Sequence, residues 1–168
     1  RVSDAVVFGA KQAAVAGGRA VAEAAKNLEK ARVDGTGVDE AEKEYRRALK
    51  AYAASGADLI FRRAHIGLGD IWRHRGDGDK ARQAYGDASA IKVHNLPPNE
   101  AAVRVGTLAR YVEDYTRQRQ WEWVTKFIGD WAWEFPADRL KGHWSLLKAA
   151  AIAAQGKKAE AVEEAMDV

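Results

Sequence analysis

The chain has few histidines and serines, and its abundant carboxylates form no known catalytic motif. The chain has no cysteine, which excludes disulfides, thiolate zinc sites and cysteine nucleophiles. Its serines lack the GxSxG elbow of a hydrolase, and it has no glycine-rich loop of the Rossmann or P-loop type. The histidines, none of which pairs four residues away from another or belongs to an HExxH motif, are His65, His74, His94 and His143. We therefore expect no metal site, no cofactor and no enzymatic activity.

Two short motifs suggest a chemistry that their context does not support. Arg75-Gly76-Asp77 spells a tripeptide that integrins recognise, but a glycine is needed there in any case to make a turn. The segment Asp34–Asp39 faintly resembles a calcium loop, yet it lacks alternating acidic ligands, and Lys43 stands where the bidentate glutamate would fall. We interpret the first motif as a turn and the second as a turn followed by a helix cap at Asp39, with Glu42 as its capping pair.

The overall composition favours a helical protein with no strong preference for a charged partner. Of 168 residues, 47% are hydrophobic, 30% are charged and only three are proline. The net charge is +3, which is less basic than a non-specific nucleic-acid binder usually is. Nucleic-acid binding is therefore the least favoured alternative, and it would use the arginines Arg62, Arg63, Arg73, Arg104, Arg110, Arg117 and Arg119.

The two ends of the sequence suggest a piece of a longer protein. The chain starts at Arg1 with neither an initiator methionine nor a signal peptide, and Val168 falls within a predicted helix. No apolar run reaches the roughly 18 residues of a membrane span. We expect a soluble protein, and both a cytoplasmic location and export after removal of a signal stay open.

Glycine, proline and asparagine clusters divide the chain into eight predicted helices joined by short turns. Their approximate ranges are 3–32, 39–54, 57–75, 79–92, 98–118, 120–134, 138–155 and 157–167. A break or kink is expected in the first helix at Gly17-Gly18 because glycine is a poor helix former. Eight helices with short connections predict four antiparallel helical hairpins.

One helix face occurs twice in the sequence. Ala41, Tyr45 and Ala48 are spaced by four and three residues, and the same residue types recur at Ala81, Tyr85 and Ala88. Such spacing places all three side chains on one side of a helix. Its recurrence after about 40 residues indicates a repeat array.

The second predicted hairpin resembles the tetratricopeptide repeat. The residues that carry the resemblance are Leu68, Gly69, Trp72, Gly76, Ala81, Tyr85 and Ala88. The other hairpins match in part, and their spacing exceeds the family's roughly 34 residues. The resemblance implies an all-α fold, a right-handed array of about four antiparallel helical hairpins that forms a single domain over residues 1–168. The extra length between repeats is expected to lie in longer helices or longer connectors.

The resemblance also implies a concave groove lined by the first helix of each hairpin. We call this surface the predicted groove; its candidate residues are Arg63, Ile66, Asp70, Arg73, His74, Ala109, Arg110, Glu113, Arg117, His143 and Leu146. This mixed, net-basic surface would bind a peptide or protein, for which an acidic segment is one option. The alternative is that these residues form a solvated helix face with ordinary salt bridges.

Aromatic residues are concentrated near residue 130. They are Trp121, Trp123, Phe127, Trp131, Trp133, Phe135 and Trp144. Four of them, spaced by four from Trp123 to Phe135, form a stripe that we expect in the seam between helices. Trp121 and Trp133 lie off this stripe and are candidate surface anchors for a partner.

These observations favour a non-catalytic protein–protein interaction module. The alternative is a structural or self-assembly segment of a larger protein.

Overall fold

A computed structural model of the protein describes residues 3–90, 109, 112–113, 115–131 and 141–166. This part of the chain consists of helices and turns and contains no strand, which confirms the predicted all-α class. None of the helices in these ranges is both long and apolar enough to cross a membrane. The chain divides into two compact units, residues 1–93 and 94–168.

Seven helices have defined bounds. They are α1 (Asp4–Asp34), α2 (Val38–Ser55), α3 (Asp58–His74), α4 (Gly78–Ser89), α5 (Trp121–Trp131), α6 (Lys141–Ala154) and α7 (Lys158–Met166). The helix predicted over 98–118 falls largely outside the described residues. The first four helices agree with their predicted ranges to within a few residues.

The first helix, α1, runs unbroken through Gly17-Gly18, so the predicted break is wrong. A Cβ at Gly17 would lie 2.8 Å from Ile60 Cδ1, so the glycine lets the helix approach α3 closely. Beyond this point small and aliphatic residues recur every three or four positions and are buried against the rest of the unit. They are Ala20, Val21, Ala24, Leu28 and Ala31.

The α1–α2 turn differs from the prediction at the start of α2. Gly37, with φ 94°, occupies the N-cap position, and its carbonyl accepts a hydrogen bond from Ala41 N at 2.9 Å. A Cβ on Gly37 would lie 2.9 Å from the carbonyl oxygen of Asn27. Asp39 is therefore inside the helix and is not its cap.

The three helices α2, α3 and α4 pack side by side through the repeated small–aromatic–small face. Each of its six members is buried: Ala41, Tyr45, Ala48, Ala81, Tyr85 and Ala88. Only two residues separate α2 from α3, and α2 has 18 residues where α4 has 12. The extra length between the repeats therefore lies in a longer helix, one of the two options that the sequence left open.

In the second unit α5 packs on α6, and α6 packs on α7. The buried side chains include Val124, Phe127, Ile128, Trp144, Ala149, Ile152 and Ala161. Two polar contacts join the helices: Gln155 Nε2 donates to Thr125 Oγ1 at 3.0 Å, and Lys148 Nζ donates to Glu164 Oε2 at 2.9 Å.

Candidate functional site

Helix α3 is held between two tyrosine rings. A Cβ at Gly67 would overlap the ring of Tyr45 from α2, and a Cβ at Gly69 would lie 2.6 Å from Cε1 of Tyr85 from α4. Residues two positions apart lie on nearly opposite sides of a helix. The two glycines therefore let α3 pack closely on both neighbours, and they fix its orientation in the unit.

Asp70 links three helices through its carboxylate. The Tyr85 hydroxyl donates to Asp70 Oδ1 at 2.5 Å, and Arg32 Nη2 from α1 lies 3.8 Å from Asp70 Oδ2. Burial, together with the nearby Asp70 carboxylate, raises the pKa of Tyr45, which therefore stays neutral. Both oxygens of Asp70 thus have partners inside the protein, and the residue has a clear structural role.

The α3 members of the predicted groove are mostly not available to a ligand. Ile66 is only 5% exposed and belongs to the core, so its assignment to the groove is wrong. Arg63 and Arg73 are partly buried and already interact within the protein, whereas His74 is exposed at the end of the helix. Among the described helices, α3 packs on α1, α2 and α4.

The second unit contains the remaining candidates for the predicted groove. Glu113 and Arg117 are exposed and form an ion pair with each other at 2.7 Å, as the solvated-face alternative expects. His143 and Leu146 are exposed on α6 and Ala109 is also exposed, while Arg110 lies outside the described residues. A continuous groove across all four hairpins stays a prediction.

The aromatic cluster agrees with its predicted packing only in part. Phe127 and Trp144 are buried, but Trp123 is 42% exposed, so its placement in the core is wrong. Trp121 is partly buried. Trp133, Phe135 and the side chain of Trp131 lie outside the described part of the structure.

Arg75 forms an ionic contact between the two hairpins of the first unit. Its Nη1 donates to Glu42 Oε2 and its Nη2 donates to Asp39 Oδ1, both at 2.6 Å. The hydrogen bond to Glu42 raises the pKa of Arg75. Burial opposes ionisation of Glu42, but the bonds from Arg75 and Arg46 outweigh it and lower the pKa of that carboxyl.

The turn that contains Arg75 is stabilised by contacts of its own. Gly76 has φ 79°, and Asp77 caps α4 by accepting a hydrogen bond from Lys80 N at 3.1 Å. Lys80 Nζ lies 4.4 Å from the centre of the Trp72 ring, and the Arg75 guanidinium lies 5.0 Å from it. Both charged ends of the integrin-like tripeptide are thus engaged within the protein, and its interpretation as a structural turn holds.

A row of basic side chains on α2 was not identified from the sequence. We call it the α2 basic strip; its members are Lys43, Arg46, Arg47 and Lys50. All four are exposed, and with Asp39 and Glu42 they line one side of an open surface region. Their spacing of i, i+3, i+4 and i+7 marks one helix face and could have revealed the strip. Acidic residues interleaved with it concealed it, because they leave the segment nearly neutral.

The α2 basic strip retains a positive charge after its ion pairs are considered. Arg46 pairs with Glu42 at 2.8 Å, and Arg47 pairs with Glu44 at 3.0 Å. Arg75, which belongs to the other hairpin, pairs with Glu42 and Asp39, so its positive charge also neutralises these two carboxylates. Lys43 and Lys50 have no ion pair with any residue in the described part of the chain. The strip can therefore attract carboxylates.

The described residues give little support to other kinds of site. Arg62, which the nucleic-acid alternative would use, is fully buried and cannot contact a phosphate. In the described ranges no three His, Asp or Glu side chains are grouped to hold a metal ion.

Comparison of the chain with protein-family models, with curated proteins and with solved structures found no significant match.

Proposed function

We propose that the protein is a non-catalytic interaction module of tetratricopeptide-like helical hairpins, and that it binds an acidic segment of a partner protein along the α2 basic strip. The observation that carries the proposal is the exposed row of four cations on one helix face, with two lysines that have no ion pair in the described chain. Carboxylates of a partner segment would bind the arginines through paired hydrogen bonds and the lysines through charge attraction.

The packing of α2 makes the strip a rigid surface. Ala41, Tyr45 and Ala48 bury one side of the helix, and the Tyr45 ring is fixed against Gly67. The basic residues lie on the opposite side at the helical spacing, so they are presented to solvent in a fixed row. A preorganised row loses less conformational entropy when a partner binds than a flexible loop would.

The α3 surface is a weaker candidate for the same function. Asp70 already binds Tyr85, and Ile66 is buried, so a ligand would have to displace structural contacts there. On α2 a ligand would displace water and at most two exposed intrahelical ion pairs, which contribute little to stability.

Calorimetry with a defined peptide tests this proposal. The probe is a glutamate-rich peptide of about 15 residues, long enough to cover α2, and its control is the same peptide with glutamine at every glutamate. We expect saturable binding of the acidic peptide, weaker at higher salt, and no binding of the glutamine peptide.

Matched charge variants locate the binding surface. Lys43→Glu with Lys50→Glu reverses two cations of the strip, whereas Lys26→Glu with Lys30→Glu makes the same change in charge on exposed positions of α1. We expect the first pair to weaken binding at least about tenfold and the second to change it little. Equal losses in both variants, or no binding by the unmodified protein, would contradict the proposal.

A further inference from the structure

The first three turns of α1 present an apolar surface to solvent. Fully buried residues of this helix begin only at Gly17, although the helix itself begins at Asp4 and Ala14 is partly buried against the core. Phe8 is 62% exposed, Val15 is 55% exposed and Val7 is 42% exposed. Nothing lies within 4 Å of the position that a Cβ on Gly18 would occupy, so the surface is also open farther along the helix.

Val6 is also exposed (60%), but it lies on the opposite side of the helix. Val7, Phe8 and Val15 share one face with two charges. We call this the N-terminal face of α1; its members are Asp4, Val7, Phe8, Lys11 and Val15. They follow the helical spacing of three and four residues, so their side chains form one row. The row is rotated away from the side of α1 that is buried in the unit, which includes Ala20, Ala24 and Leu28.

The charges on this face are arranged symmetrically. Asp4 and Lys11 are the only charged residues between Ser3 and Gly18, and the midpoint between them falls between Val7 and Phe8. When two copies of such a helix pair antiparallel about that midpoint, each Asp4 lies opposite the partner's Lys11 and each Val7 opposite the partner's Phe8. The face is thus complementary to itself, as a two-fold interface requires.

From this symmetry we infer that the N-terminal face of α1 is a self-association surface, which packs antiparallel against the same face of a second copy of the chain. A parallel pair would place Asp4 against the partner's Asp4 and is disfavoured by repulsion. The overlap covers only about two turns of each helix, so the dimer is weak and depends on concentration. The N-terminal face of α1 lies on a different helix from the α2 basic strip, and the charges of its two ionic members cancel.

A membrane is the competing occupant, because Arg1 and Arg19 flank this segment and an anionic lipid surface attracts basic residues around an apolar face. The charge symmetry of Asp4 and Lys11 favours a second copy of the chain, and measurement with lipid vesicles distinguishes the two.

A charge-reversal series in sedimentation equilibrium tests the inference on the full chain. The protein is measured from about 10 µM to about 1 mM, the range in which a weak dimer forms. We expect Asp4→Lys and Lys11→Asp each to raise the dissociation constant at least about fivefold, because two attractive pairs per dimer become two repulsions. The double variant should return close to the original value. The double variant and Asp4→Lys both have lysine in the first turn of α1. Recovery of dimerisation in the double variant therefore shows that the single variant lost charge pairing and not stability of the helix end.

An apolar pair of variants tests the centre of the interface. Phe8→Glu places a charge there and should abolish the dimer, whereas Val33→Glu makes a similar change at an 81% exposed position near the other end of α1 and should not. Circular dichroism confirms that each variant keeps its helix content.

Three results in sedimentation equilibrium would overturn the inference: a monomer at every concentration, a dimer that Phe8→Glu does not affect, or a double charge variant whose dissociation constant is as high as those of the single variants. A fourth is a monomer that sediments with vesicles of phosphatidylcholine and phosphatidylglycerol only when Phe8 is present.

Discussion

Helices α2 and α3 both carry arginines and carboxylates, but they use them in different ways. On α3 Asp70 binds Tyr85 of α4 and approaches Arg32 of α1, and Arg62 is fully buried. On α2 the four cations of the basic strip face solvent. The difference follows from how each helix is packed. Helix α3 packs against three helices, whereas α2 has its buried residues on one side and leaves the opposite side exposed. A charged residue is available to a partner only where the packing leaves it exposed.

The largest expected effect is on the packing of α3. Gly69→Ala would place a methyl group 2.6 Å from the Tyr85 ring, so either the ring or α3 would have to move. We expect it to lower the free energy of unfolding by about 1–3 kcal/mol, measured by urea denaturation. Gly86→Ala on α4 is the matched control, since nothing lies within 4 Å of its added methyl group, and it should stabilise the protein by up to about 1 kcal/mol. Equal effects of the two variants would refute the close contact.

The next effect is on the bond between α3 and α4. Asp70→Asn replaces the charged acceptor of the Tyr85 hydroxyl and should lower the free energy of unfolding by about 1–2 kcal/mol. Tyr85→Phe tests the same bond from the other side. In a double-mutant cycle the two changes should be clearly non-additive, whereas additive changes would show that the two groups do not interact.

A smaller effect is expected at the contact between α2 and the α3–α4 turn. Arg75→Met removes two exposed ion pairs and should cost about 0.5–1 kcal/mol at neutral pH. Glu42 has a lowered pKa in the folded protein. Its contribution to the free energy of unfolding is therefore fully present at a pH above the ordinary pKa near 4.5 and is lost as the pH falls through the lowered pKa. Unfolding curves from pH 7 to about pH 3 should therefore converge for the variant and the unmodified protein. A constant difference across this range would contradict the assignment.

The smallest effect on stability is expected on the α2 basic strip. Lys43→Glu with Lys50→Glu changes two exposed side chains that form no ion pair with the described residues, so the free energy of unfolding should stay within about 0.5 kcal/mol. Urea denaturation gives this value. A loss as large as that of Asp70→Asn would show that the strip is structural, like the α3 charges.

The sequence predicted those features that depend on local spacing. The repeat of Ala41-Tyr45-Ala48 at Ala81-Tyr85-Ala88 identified the buried faces of α2 and α4, because the helical period alone decides which side chains share a face. Glycine clusters located the turns for a similar reason, since Gly35 and Gly76 adopt the positive φ that other residues avoid.

The features that it missed depend on contacts between distant residues. Asp39 suggested a helix cap, but its partner is Arg75, 36 residues away. Trp123 was placed in the core because aromatic residues recur every four positions. Side chains four residues apart are rotated by about 40° around the helix axis, so such a row does not stay on one face. The buried face is formed by Val124, Phe127 and Ile128. Ile66 was assigned to the groove through the family's repeat frame, which gives spacing along the chain and not the burial of each side chain.

The central claim is that a partner binds α2 rather than α3, and nuclear magnetic resonance tests it most directly. The glutamate-rich peptide is titrated into ¹⁵N-labelled protein while the backbone amide shifts are followed. We expect the largest saturable shifts between residues 43 and 50, with small shifts between 63 and 74. Shifts concentrated between 63 and 74, or none at a large excess of peptide, would contradict the claim.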